Sequence, residues 1–182
     1  FSAAIDQAEK MIENGALIID VGGESTKPGA KAVSNDEEVN RVIPVIEEIV
    51  DKNIPISIDS RNSQVMQLAL NAGAHIINDV SALEHDALSI KVAQEADVPI
   101  ILMHAQGKPE TMQVNPEYEC VHLDIYDYLE ERINFCIKND IAKEKIIIDP
   151  GIGFGKTVDH NLQVLNHIGL FHGLGVPILI GV

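Results

Sequence analysis

Apolar and polar positions alternate along this chain on two length scales. Short β-branched runs recur at Leu17 to Val21, Pro55 to Ile58, His75 to Ile77, Val98 to Met103, Lys145 to Ile148 and Val176 to Ile180. Each is too short for a helix and too uniformly apolar for a half-solvated strand, so the runs predict six strands buried on both faces. Between them lie longer stretches with a period near 3.6. In Asp36 to Lys52, residues Val39, Val42, Ile43, Ile46, Ile49 and Val50 form one apolar stripe, with Ser34 or Asn35 as the cap and Glu37 and Glu38 well placed in the first turn. Asn62 to Asn71, Ala87 to Ala96, Tyr118 to Asn139 and Asp159 to His172 read similarly.

Strands joined by helices in strict alternation predict a parallel sheet with helices packed outside it, either a (β/α)8 barrel or an open doubly wound sheet. The polar residues favour the barrel. Successive strands run into Gly22-Gly23-Glu24-Ser25-Thr26, Asp59, Asn78-Asp79, Met103-His104 and Asp149-Pro150-Gly151. Five of six strands thus deliver chemistry to one edge, as on the C-terminal face of a barrel; a crevice in an open sheet draws on fewer. Six strands are two short of closure, so the expectation is an incomplete barrel of about six βα units. Residues 1–182 would form one domain, with one unit's worth of chain lying beyond each end.

Composition narrows the chemistry. A formal net charge of -15 argues against a broad basic surface for nucleic acid or anionic lipid, so an anionic substrate must be held by local groups or a metal. No apolar run approaches the roughly 18 to 20 residues of a membrane-spanning helix. Cys120 and Cys136, sixteen positions apart, have neither CxxC spacing nor a disulfide framework and fit two free thiols in a reducing cytoplasm.

The segment Asp149-Pro-Gly-Ile-Gly-Phe-Gly-Lys-Thr157 ends like a phosphate-binding P-loop. That loop needs a glycine five residues before Gly155, and Pro150 stands there without an N–H to give. Glycines at 151, 153 and 155 also miss the GxGxxG spacing. What remains is a carboxylate at a strand end, a loop whose glycines admit close backbone approach, and Phe154 as an apolar surface. The histidines at 75, 85, 122, 160, 167 and 172 show no HExxH-type metal spacing. Asp20 and Asp79 are expected to orient loops, His104 to be packed and hydrogen-bonded, Glu24 to brace the glycine-rich loop, and Lys156 to be a solvated loop charge.

Taken in order, IIDVGGESTKPGA (18–30), SIDS (57–60), INDVSAL (77–83), LMHAQGKPETMQ (102–113) and DPGIGFGKT (149–157) resemble the dihydropteroate synthase family over essentially the whole chain. The resemblance implies a (β/α)8 barrel that joins p-aminobenzoate to a dihydropterin methyl diphosphate, with release of diphosphate, in folate biosynthesis. It places Asp149 against the amino and N–H edge of the pterin, Asn78 on the other edge, and Asp59 at the dihydro ring as the catalytic carboxylate. Met103 and Phe154 would supply contacts to the ring faces. Thr26, Lys27 and Pro28 would form the loop that encloses p-aminobenzoate and the diphosphate; Lys27 stands where the family commonly carries arginine, keeping the charge without the planar fork. The resemblance further implies Mg2+, with no ligand in this chain and the expected asparagine lying before Phe1, and a cytoplasmic homodimer. The family's later Ser-Arg-Lys and Arg-x-His cations are not in this sequence, so residues 1–182 alone are expected to be inactive. A methyltetrahydrofolate-binding methyltransferase domain and a non-catalytic pterin-binding homologue remain the alternatives.

Overall fold

The computed structural model describes residues 2–26, 30, 32–107 and 111–181. After the helix α1 (Ser2–Glu13) come β1 (Ile19–Gly22), α2 (Asn35–Ile49), β2 (Ile56–Asp59), α3 (Ser63–Asn71) and β3 (Ile76–Asp79). Then follow α4 (Ser89–Ala96), β4 (Ile100–Met103), α5 (Val121–Lys138), β5 (Ile146–Asp149) and α6 (Val158–Asn166). The strands form one parallel sheet in the order β1-β2-β3-β4-β5. Strictly sequential order is the signature of a barrel; a doubly wound sheet reverses order at its switch point. The fold is α/β, an incomplete (β/α)8 barrel.

Register divides the sheet into two chemistries. Ile19 pairs with Ile56, and Val21 with Ile58, then Ile77, then Ile100 and Ile146; these side chains and those of Leu102 and Ile148 point to the helices and are buried. Burying an isoleucine completely contributes about 1.5–3 kcal/mol, and the stripe Val42, Ile46 and Ile49 of α2 covers this face without exposure. The alternate positions project from the other face: Asp20 beside Ser57, Gly22 beside Asp59 and then Asn78, and Met103 beside Asp149.

Local chemistry sets the element ends. Ser34 caps α2, accepting from the Glu37 amide at 3.3 Å. The stretch expected to be helical from Tyr118 starts at Val121 instead, because the Asp124 carboxylate accepts from the Glu119 and Cys120 amides and ties them into a cap. Thr157 and His160 cap α6 reciprocally, and the helix ends at Asn166 before a 3-10 segment, Ile168–Leu174, which carries Gly169 and Gly173. The sixth apolar run is not a full strand: it meets β5 through one bridge, Ile148 with Ile178, made by Ile148 N–H to Pro177 O and Leu179 N–H to Ile148 O. Cys120 is half-buried and Cys136 buried, and both are free thiols. Among the described residues, no helix is long and apolar enough to cross a membrane.

Candidate active site

Asp20, Asp59, Asn78, Met103 and Asp149 come from five different strands and share one face of the sheet, three of them as the last residue of their strand. That face is concave. Asp20 and Asn78 hang from strands separated by β2, and Asn78 stands two residues beyond the register partner of Asp20, so on a flat sheet their roots would be about 12 Å apart. The Asn78 amide nevertheless donates to the Asp20 carboxylate at 3.2 and 3.4 Å. Asp20 therefore orients Asn78 rather than a loop. Gly22 leaves room for Asp59: a Cβ at Gly22 would lie 3.3 Å from the Asp59 carboxylate.

Asp59 sits half-buried among like charges. Burial, and then the neighbouring carboxylates Asp20, Asp79, Glu38 and Glu24, push its carboxyl up to about 7. Near neutral pH it can both hold and give up a proton, the property expected of a group that answers a changing charge on a substrate. Asp149, also buried, is shifted upward by desolvation; the Gly151 N–H it accepts at 2.7 Å and the nearby Lys156 pull the other way and favour the carboxylate. A planar acceptor so placed suits two adjacent N–H donors of a heterocycle.

A cavity of about 500 Å³ opens beyond this edge. All five strand-to-helix loops line it: Thr26 from the first, Arg61 from the second, Ser81 and Glu84 from the third, Met112 from the fourth and Phe154 from the fifth. Thr26 and Phe154 thus both line the cavity, while Asp59, Asn78, Met103 and Asp149 occupy the sheet face. Lys27 and Pro28 lie outside the described residues. Glu24 braces the first loop as expected, accepting from the Val33 N–H and from Arg61 at 3.0 Å each. Asp79 is fully buried on the helix side and holds the third loop, accepting from the amides of Ser81 at 2.7 Å and Leu83 at 3.0 Å and from the Ser81 hydroxyl at 2.6 Å. That loop contains two non-glycine residues in the left-handed region, Ala82 and Leu83, so the carboxylate holds a conformation the backbone resists.

Lys156 overturns the expectation of a solvated charge. It is 2% exposed. Its ammonium donates to the carbonyls of Gly151 at 2.8 Å, Phe154 at 3.1 Å and His104 at 3.3 Å, and stands 3.0 Å from His104 Nδ1. Burial lowers the amine to about 7, opposed by Asp149. His104 is packed as expected, edge-on to Tyr128 at 5.0 Å, and burial followed by Lys156 pushes its imidazole down to about 3. Neutral His104 thus offers Nδ1 as an acceptor. The sequence signal for this role is a lysine directly after alternating glycines, where bare backbone carbonyls can surround a cation. Among the described residues no group of three or more His, Cys, Asp or Glu is arranged to hold a metal.

Residues 1–182 match the family described as pterin binding enzyme. The chain is 45% identical over 179 residues to the dihydropteroate synthase of Haemophilus influenzae, covering 98% of this chain and 65% of that protein. Its structure superposes on Xanthomonas albilineans dihydropteroate synthase with 4-aminobenzoic acid at a TM-score of 0.94, 41% identity and coverage of 100% and 64%. The complex of that enzyme with 7,8-dihydropteroate gives 0.88 at 36% identity, with coverage of 99% and 63%. The chain thus spans a little under two thirds of these relatives. A match from the first residue to the last, over a barrel arc whose concave face gathers acidic and amide groups from successive strands, makes this chain a member of the pterin binding enzyme family.

Proposed function

We propose that the chain is the pterin-recognising part of a dihydropteroate synthase, which joins 4-aminobenzoate to 6-hydroxymethyl-7,8-dihydropterin diphosphate. The observation that carries this reading is the common face of Asp59, Asn78, Met103 and Asp149 at the C-terminal edge of the sheet. Asp149 accepts from the amino group and ring N–H of the pterin, and the Asn78 amide, with a donor and an acceptor on one plane, reads the other edge. Met103 and Phe154 pack on the ring faces.

In the reaction the C–O bond from the pterin methylene to diphosphate breaks with its electron pair going to diphosphate, and the arylamine nitrogen bonds to that carbon and loses one proton to solvent. Positive charge that builds on the pterin as diphosphate leaves is answered by Asp59, whose proton equilibrium sits near neutrality. Thr26 contacts the diphosphate, and the family resemblance gives its loop, with Lys27 and Pro28, the enclosure of 4-aminobenzoate. The other contribution is positioning, since two reactants held in line need no activated nucleophile on the protein. Mg2+, a homodimer and a cytoplasmic location belong to this reading through the family resemblance.

The test is made on a protein that carries the complete barrel. With both substrates it should form dihydropteroate and release diphosphate, and Asp149→Ala should weaken dihydropterin binding by about a hundredfold in calorimetry. Unchanged affinity in the variant, or transfer of a methyl group in place of diphosphate release, would overturn the reading.

A further inference from the structure

Two loops of the candidate site lie backbone against backbone. A Cβ at Gly151 would stand 2.0 Å from the His104 carbonyl oxygen, and one at Gly155 would stand 2.3 Å from that of Gln106. Both glycines have φ in the left-handed region, +68° and +65°. So close an approach crowds carbonyl oxygens together, and the Lys156 ammonium sits among them, bonded to His104 O on one loop and to Gly151 O and Phe154 O on the other. Tyr118 adds a bond from its hydroxyl to Gly155 O at 2.7 Å.

Between the clamped carbonyls lie the groups that face the ligand. Asp149 is fixed by the amide of Gly151, whose own carbonyl Lys156 holds. Phe154 lines the cavity, and its carbonyl is held too. We infer that Lys156 is a positioning residue for pterin recognition: its buried ammonium clamps the loop 149–155 to the loop 104–106 and so aims the Asp149 carboxylate and the Phe154 ring. It touches no substrate itself, because its donors are directed to protein carbonyls and to His104 Nδ1.

This inference rests on the pterin reading of the site, and the experiment separates the two. In the complete protein, 6-hydroxymethyl-7,8-dihydropterin is titrated by calorimetry into wild type, Lys156→Met, Asp149→Asn and the double variant. Lys156→Met should weaken binding roughly tenfold. The double variant should bind no more weakly than Asp149→Asn within a factor of about two, since both changes disable one contact. Affinity within about twofold of wild type for Lys156→Met, or losses that multiply in the double variant, would overturn the role. Should the methionine variant fail to fold, Lys156→Gln, which keeps two N–H donors, is compared in the same way. Amide exchange supplies a readout free of ligand: Lys156→Met should speed exchange at residues 151–155 at least tenfold while the strands keep their protection. A wild-type protein that binds no dihydropterin refutes the pterin reading alone, and unchanged exchange in the variant refutes the clamp alone.

Discussion

Asn78 and Asp20, on strands that are not neighbours, are joined by a hydrogen bond of 3.2 Å across the strand between them. The bond fixes which way the Asn78 amide faces, and therefore which of its atoms a ligand meets as donor and which as acceptor. Two substitutions separate contact from orientation. Asn78→Ala removes the group and should weaken dihydropterin binding about thirtyfold, whereas Asp20→Ala leaves the amide free to rotate and should cost only about threefold to fivefold. Calorimetry on the complete protein measures both, and an Asp20→Ala loss equal to that of Asn78→Ala would mean that Asp20 contacts the ligand itself.

Asp59 gives stability a pH dependence of defined sign. Burial and the neighbouring carboxylates raise its folded pKa to about 7, above the ordinary aspartate value of 3.8. The folded state therefore binds the extra proton between these limits, and the associated stability, fully present below about pH 4, is lost as pH rises through 7. Asp59→Asn should thus match wild type near pH 4 and exceed it at pH 8 by about 2 kcal/mol, after allowance for screening of a half-buried group. Urea unfolding at the two pH values tests this; an Asp59→Asn variant less stable than wild type at pH 8 would show that the carboxylate is stabilised in the fold.

The glycines of the fifth loop differ in what they tolerate. At Gly151 a Cβ meets the His104 carbonyl oxygen at 2.0 Å, while at Gly153, with φ of +86°, it meets nothing within 4 Å. Gly153→Ala should therefore cost about 1 kcal/mol, the conformational penalty alone, and Gly151→Ala at least about 3 kcal/mol, because two backbones must part. Thermal unfolding orders the two variants, and equal losses would contradict the close approach.

Asp79 is buried and carries three hydrogen bonds to a loop with two left-handed non-glycine residues. Asp79→Ala should destabilise the fold by about 3 kcal/mol, since it strands donors and releases a strained turn. Pterin affinity should suffer less than with Asn78→Ala, because Asp79 points to the helices and not to the concave face. Comparing urea midpoints with calorimetric affinities for the two variants decides the matter.

Most of the strand-helix rhythm and the polar edge could be read from the pattern of residues, because short apolar runs between amphipathic stretches have little alternative to strands; the expected burial on both faces fails in β1, whose Asp20 and Gly22 are exposed. What escaped were features that depend on contacts distant in sequence. The sixth run, Val176 to Ile180, has strand-like composition, yet strand character is conferred by pairing partners, and among the described residues its one β-bridge is to Ile148. Tyr118 to Cys120 has helix-compatible residues, but the Asp124 carboxylate captures its amides first. The separate candidates Asp59, Asn78, Met103 and Asp149 could be named one by one; their common face emerged only with the register. Lys156 was misjudged because exposure is the normal state of a lysine near a loop, and nothing local to it announces the His104 carbonyl fifty-two residues away.

The two-residue alternation of the strands also governs which lesions this gene could survive. Inserting a single codon in β3 before Ile77 would turn Asn78 toward the helices and place an isoleucine among the ligand groups, exchanging core for pocket in one step. Insertions in the strands should therefore be purged as loss of function and loss of folding together, whereas insertions of the same length in the connecting loops would lengthen the rim of the site and leave its floor in register.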